Sequence, residues 1–109
     1  MKLSSLQDLY VAELKDLYSA ENQLLKAIPK MAKAASAPEL QRAFQTHLEE
    51  TRGQVKRLET IFAEMETSPR GKKCKAMEGL IEEGSELMEE DAVTVHAVST
   101  SLARFAAVE

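Results

Sequence analysis

The chain has 109 residues, enough for one small domain, and carries 14 Lys and Arg against 18 Asp and Glu, a net charge of −4. This acidic balance disfavours nucleic-acid binding through a dominant phosphate-contact surface. The single cysteine excludes an internal disulfide framework and a cysteine-based zinc site. No apolar run reaches about 18 residues and the start lacks the apolar core of a signal peptide. We therefore expect a cytoplasmic protein with no nucleic-acid or membrane partner.

Two long amphipathic helices are predicted in the first two thirds of the chain. Apolar residues recur at helical spacing in helix A, over about 5–35, and in helix B, over about 38–65. Between them, Ser36 and Glu39 have the spacing of a capping box, and Pro38 suits a first helical turn. Because the link is short, the two helices should form an antiparallel hairpin.

The last third predicts an acidic helix over about 74–90 and a weaker last helix over about 92–107. No sustained alternation of apolar and polar residues indicates a strand, so the fold class is all-α. The apolar stripes of the hairpin are wider than two helices can bury against each other. The hairpin therefore needs further helices, either from the rest of this chain or from a second copy.

Glu21 lies at the centre of the apolar stripe of helix A, with Leu17, Leu24 and Ile28 around it. A carboxylate in such surroundings must be protonated, paired or bound to a metal, because an isolated buried charge is costly. Two interpretations remain open. Glu21 is either a metal ligand or the acceptor of a hydrogen bond from a Tyr or Arg of a neighbouring helix.

Helix B carries four polar residues on or beside its apolar stripe, of which Thr51 falls near the centre. His47 and Gln54 fall within the stripe, and Glu50 lies on its shoulder, three residues after His47. A Glu on one helix facing a Glu and a His on another is the arrangement of carboxylate-bridged di-iron bundles. Hard oxygen donors with imidazole suit iron or manganese. The candidate metal residues are therefore Glu21, Glu50, His47 and Gln54.

These residues on helix B also have a purely structural interpretation. His47 can be a packed core histidine, and Glu50 can be a surface charge paired with Arg52 or Arg57. The order here is His-x-x-Glu, whereas such bundles usually carry Glu-x-x-His, and Gly53 follows Glu50 by three residues. The pattern assigns no catalytic residue.

Three blocks of the chain, at 19–21 (SAE), 47–51 (HLEET) and 74–83 (CKAMEGLIEE), together resemble the YciE/YciF family of ferritin-like proteins. The similarity extends in order over about residues 3–90. It implies a bacterial, cytoplasmic, ferritin-like helical bundle that is homodimeric and linked to stress responses. It also implies iron or manganese as cofactor and a ferroxidase-type activity.

Family members continue through two long helices after the acidic helix, with a block similar to VEHYE that supplies the second half of a di-metal site. Here no Glu or His after Asp91 takes the place of those carboxylates, apart from Glu109. We therefore expect a truncated or frame-altered bundle that is completed by dimerisation. Glu21 and Glu50, with His47, from two copies would then form the site at their interface.

An alternative function is that of a non-catalytic, self-associating helical protein with a vestigial metal site. It predicts a stable oligomer without metal that tolerates Glu21→Gln. A further hypothesis is that the acidic face of residues 78–91 binds a basic protein, and strong salt dependence would mark such a complex.

Overall fold

A computed structural model describes residues 5–89 of the protein. Within that range the chain forms three α-helices and no strand, which confirms the all-α prediction: α1 (Leu6–Ala34), α2 (Pro38–Glu64) and α3 (Lys75–Glu89). None of these three helices has the length and apolarity needed to cross a membrane. The predicted last helix, over 92–107, lies outside the described residues.

α1 and α2 form the expected helical hairpin, and their apolar stripes face each other. The larger cluster of buried residues in this hairpin holds Leu24, Ala27, Ile28, Met31, Ala35 and Phe44. A smaller cluster, nearer the start of α1 and the end of α2, holds Leu14, Leu58 and Phe62. Of the apolar stripe predicted for α1, Leu24 and Ile28 are buried in the larger cluster, whereas Leu17 remains 50% exposed.

The predicted capping box at the start of α2 is wrong. The N-cap is Ala37, which makes no side-chain capping hydrogen bond, and Pro38 occupies the first helical turn as expected. The residue before a proline is restricted to extended backbone, and Ala37 has φ −78° and ψ 125°. The extended residue that precedes the helix is therefore Ala37, so Ser36 lies one position too early to cap it.

α2 ends in a Schellman motif. The Thr67 N–H donates to the Phe62 carbonyl at 3.0 Å, and the Glu66 N–H donates to the Ala63 carbonyl at 3.1 Å. Glu66 takes the left-handed position of this motif, with φ 53°, where glycine is the usual residue. The motif turns the chain back, so that the following link, residues 65–74, runs beside α1.

α3 packs against the C-terminal half of α1. Its apolar residues Met77, Ile81 and Met88 contact the larger buried cluster, and Gly84 is buried. Its opposite face carries the acidic residues of the predicted acidic helix, which are exposed: Glu78, Glu82, Glu83, Glu86 and Glu89. Leu87 remains 38% exposed at the edge of the helix.

Candidate carboxylate site

Glu21 and Gln54 meet across the hairpin. Both side chains are half-buried. With the Gln54 amide oriented to donate, its nitrogen lies 3.0 Å from Oε2 and 3.3 Å from Oε1 of Glu21. In this orientation the carboxylate accepts hydrogen bonds from the Gln54 amide, and Arg57 of α2 lines the same cavity.

His47 and Glu50 lie further along α2. Gln54 is level with Glu21, so a rise of 1.5 Å per residue places Glu50 about 6 Å and His47 roughly 10 Å along the helix axis. Glu50 is exposed, whereas His47 is half-buried, with its Nε2 enclosed by protein. The structure therefore brings Glu21 and Gln54 together, places Glu50 one turn away and separates His47 from that pair.

The contacts identified near His47 lie within α2. The Thr51 hydroxyl donates to the His47 carbonyl oxygen at 2.8 Å, and Thr51 itself is fully buried. The Arg52 guanidinium forms its ion pair with Glu49, not with Glu50 as one interpretation proposed. The carboxylate of Glu50 thus stays on the exposed shoulder of α2, at the edge of the face that carries Glu21.

Hard oxygen donors are the chemistry that this face offers. Glu21 and Glu50 supply carboxylate oxygens, and a rotated Gln54 amide can present its oxygen in place of its nitrogen. Among residues 5–89, no three or more His, Cys, Asp or Glu side chains form a group that could hold a metal ion. The donor set fits one half of a carboxylate site and needs donors from elsewhere to complete it.

Apolar side chains and one arginine surround this half-site. Glu21 and Gln54 line a shallow cavity of about 270 Å³ together with Arg57, Leu17, Leu58 and Ile61. Towards the start of α1, Leu6 is 84% exposed, and Tyr10 and Leu17 are each 50% exposed. We call the surface formed by Leu6, Tyr10, Leu17, Glu21 and Gln54 the open face. Its α1 residues share one side of the helix by their spacing of four and seven.

Sequence reasoning missed a set of contacts that fixes the link to α1. The backbone N–H of Cys74 donates to the Ser19 hydroxyl at 2.8 Å, and Gln23 Nε2 donates to the Cys74 carbonyl at 3.1 Å. The buried Cys74 thiol donates to Asp16 Oδ2 at 3.4 Å. These partners lie 51 to 58 residues apart in the chain, so no local pattern could have signalled them.

Tyr18 joins α1 to α2 on the side of the smaller cluster. Its hydroxyl donates to Glu59 Oε2 at 3.0 Å, and its ring packs edge-on against Phe62, with 6.1 Å between the ring centres. Burial and the hydrogen bond to the Glu59 carboxylate raise the pKa of Tyr18 above its ordinary value. Tyr18 is thus a structural contact between the helices.

The family model that matches this chain is described as "Domain of unknown function (DUF892)", and it matches residues 5–109. The match includes residues after Asp91, which were expected to depart from the family pattern. Protein YciF of Escherichia coli K12 is 43% identical over 90 residues, which are 82% of this chain and 54% of that protein. The chain thus spans about half the length of this curated relative.

Two solved structures share the fold. YcfI from Rhodopseudomonas palustris superposes with a TM-score of 0.88 at 34% identity, over 95% of this chain and 66% of that one. The crystal structure of the E. coli stress protein YciF superposes with a TM-score of 0.82 at 38% identity, over 95% of this chain and 67% of that one. On these matches, the chain belongs to the DUF892 family, which includes YciF.

Proposed function

We propose that this chain is a ferritin-like stress-response protein that pairs with a second copy through the open face and binds iron or manganese between the two copies. Glu21 carries the proposal, because this half-buried carboxylate lies beside the exposed apolar residues of the open face and in contact with the Gln54 amide of α2. Glu50 would be the second carboxylate. His47 and Gln54 would orient the carboxylates or add a terminal ligand.

The second copy is the occupant that best fits the open face. An exposed apolar surface of this length on α1 needs a partner of similar length and pattern, and a two-fold axis supplies the same face from an identical chain. That pairing would bring Glu21 and Glu50 of one copy towards those of the other. Four carboxylates would then surround the metal, as in helical di-iron proteins, whose ferroxidase-type activity is part of the proposal.

The stress-response part of the proposal is based on the relatives of this chain. The solved E. coli protein is called a stress protein, and this chain matches 67% of its length. The fold and the family support a shared role, whereas the metal and the pairing are supported by the chemistry of the open face.

Two measurements on the full chain test the proposal. Light scattering should detect a dimer that Leu17→Glu converts to monomer, whereas Leu87→Glu, which charges a partly exposed leucine on α3, should leave it intact. Elemental analysis after anaerobic iron(II) loading should find about one to two irons per dimer. Glu21→Ala should abolish this iron, and Glu83→Ala, on the exposed face of α3, should not.

The outcomes separate the two parts of the proposal. A dimer that binds no iron and is unaffected by Glu21→Ala contradicts the metal site and favours the non-catalytic, self-associating alternative. A monomer at all concentrations contradicts the pairing. Iron that remains bound in Glu21→Ala contradicts the assignment of this carboxylate.

A further inference from the structure

A basic groove runs along α1 on the side away from the open face. Its first part is an open cavity of about 660 Å³, into which Lys15 and Lys26 of α1 and Arg70 of the link project. A second cavity of about 230 Å³ continues it and adds Lys30 and Lys73. Lys26 and Gln23 line both cavities, so the two form one continuous surface.

The link forms the second wall of this groove and is held in place by hydrogen bonds. Ser19 and Gln23 hold the backbone of Cys74 against α1, as described above. Gly71 lies so close to α1 that a Cβ atom built on it would come within 3.0 Å of the Lys15 Cβ. The close approach places Arg70 opposite α1, with the position of its backbone set before any ligand binds.

The charges in the groove have one sign. Neither cavity is lined by an Asp or a Glu, although the whole chain carries a net charge of −4. Around the groove, Asp16 accepts the Cys74 thiol and Glu59 accepts the Tyr18 hydroxyl. Glu78 pairs with Lys73 at 2.8 Å, so the free positive charge of the groove comes from its other cations. Gathering Lys15, Lys26 and Arg70 without a carboxylate among them creates repulsion that a bound anion would relieve.

We propose that this groove binds an elongated anion with several phosphate groups, such as a short inorganic polyphosphate. Lys15 and Lys26 are eleven residues apart, about 16 Å along the helix, so one compact phosphate cannot contact both. The Arg70 guanidinium can grip phosphate oxygens with two parallel hydrogen bonds, and the lysines act as point charges. A chain of phosphates matches both the length and the charge of the groove.

The lining disfavours a single-stranded nucleic acid. Sequence-independent binding of such strands relies on aromatic side chains on which the bases stack. Tyr18 is the one aromatic residue that lines the two cavities, and its ring is already packed against Phe62. The groove can therefore contact the phosphates of a strand but provides no free surface for its bases.

Calorimetric titration of the full chain with short-chain polyphosphate, at about 0.15 M salt, tests the proposal. Lys26→Gln and Arg70→Gln should each weaken binding about tenfold, because each removes a charge-assisted contact. Lys56→Gln removes one exposed charge from α2 and should change the affinity less than about twofold. Circular dichroism checks that each variant keeps its helices.

Three results would overturn the proposal. The first is that the unaltered chain fails to bind polyphosphate, and the second is that Lys56→Gln weakens binding as much as Lys26→Gln does. The third is that a poly-glutamate peptide or an oligothymidylate binds as tightly as polyphosphate at equal charge, because the groove would then not select phosphate chains. All these measurements are independent of Glu21 and of the open face.

Discussion

The two halves of α1 carry the same apolar stripe but have different surroundings. In the C-terminal half, Leu24 and Met31 are fully buried, because α2 covers one side and α3 covers the other. In the N-terminal half, Tyr10 and Leu17 are each 50% exposed, although Leu17 lies on the same side of the helix one heptad before Leu24. The pattern of a stripe therefore predicts what can be buried, and the neighbouring helices decide what is buried.

The proposed function rests on the same difference between the two halves. The covered half supplies the larger buried cluster, whereas the open half presents exposed apolar side chains beside the carboxylate of Glu21. Exposed apolar patches bordered by polar groups are common in association surfaces. The proposals for pairing and for metal binding both rest on this half of the helix.

The largest expected effect compares two leucines of α1. Leu24→Ala should lower the free energy of unfolding by about 2–5 kcal/mol, because it removes fully buried methyl groups and leaves a cavity. Leu17→Ala should cost less than about 1 kcal/mol, because half of its surface is already in water. Urea unfolding measures the free energy change of each variant, at a protein concentration low enough to dissociate any dimer. Equal losses for the two variants would contradict the distinction between the covered and open halves.

A smaller loss of stability is expected when the hydrogen bond that fixes the link before α3 is removed. Ser19→Ala leaves the Cys74 N–H without its acceptor and should cost about 1–2 kcal/mol. Ser19→Ala should accelerate amide hydrogen exchange in α3 more than in α2, because the link that leads into α3 is loosened. Ser85→Ala, on α3 and outside the link, is the matched control. If both variants exchange alike, the link does not hold α3 against α1.

A feature could be predicted from the sequence when the residues that determine it are close together in the chain. Helical periodicity is local, so the hairpin, the acidic helix and the all-α class were accessible from the sequence. The contact of Cys74 with Ser19 is not local, because 55 residues separate them. The capping box failed although it is local, because the backbone restriction that Pro38 imposes on Ala37 outweighs the preference of Ser36 for the cap.

The candidate site was only partly accessible for the same reason. Glu21 could be recognised because a carboxylate within an apolar stripe violates the pattern around it. Gln54, which contacts it in the structure, was among the candidate residues, but the sequence could not specify that the two side chains bond to each other. The exposure of Glu50 depends on which helices lie beside α2, and helical spacing alone does not determine that.

The smallest effect expected lies at the border between the two halves, where Tyr18 bonds to Glu59. Burial and this hydrogen bond raise the pKa of Tyr18, so the folded protein holds the phenol proton more tightly than the unfolded chain does. The resulting stability is fully present below the unfolded pKa, about 10 for tyrosine, and is lost as the pH rises through the folded pKa. Glu59→Gln should therefore lower the pKa of Tyr18.

Absorbance titration of the phenolate measures this pKa directly in a Tyr10→Phe background, because the chain has two tyrosines and only Tyr18 then contributes. Glu64→Gln, which neutralises an exposed carboxylate at the end of α2, is the control and should leave the titration of Tyr18 unchanged. If Glu59→Gln also leaves it unchanged, Glu59 does not accept the phenol proton. The contact of Tyr18 with α2 would then rest on the packing of its ring against Phe62.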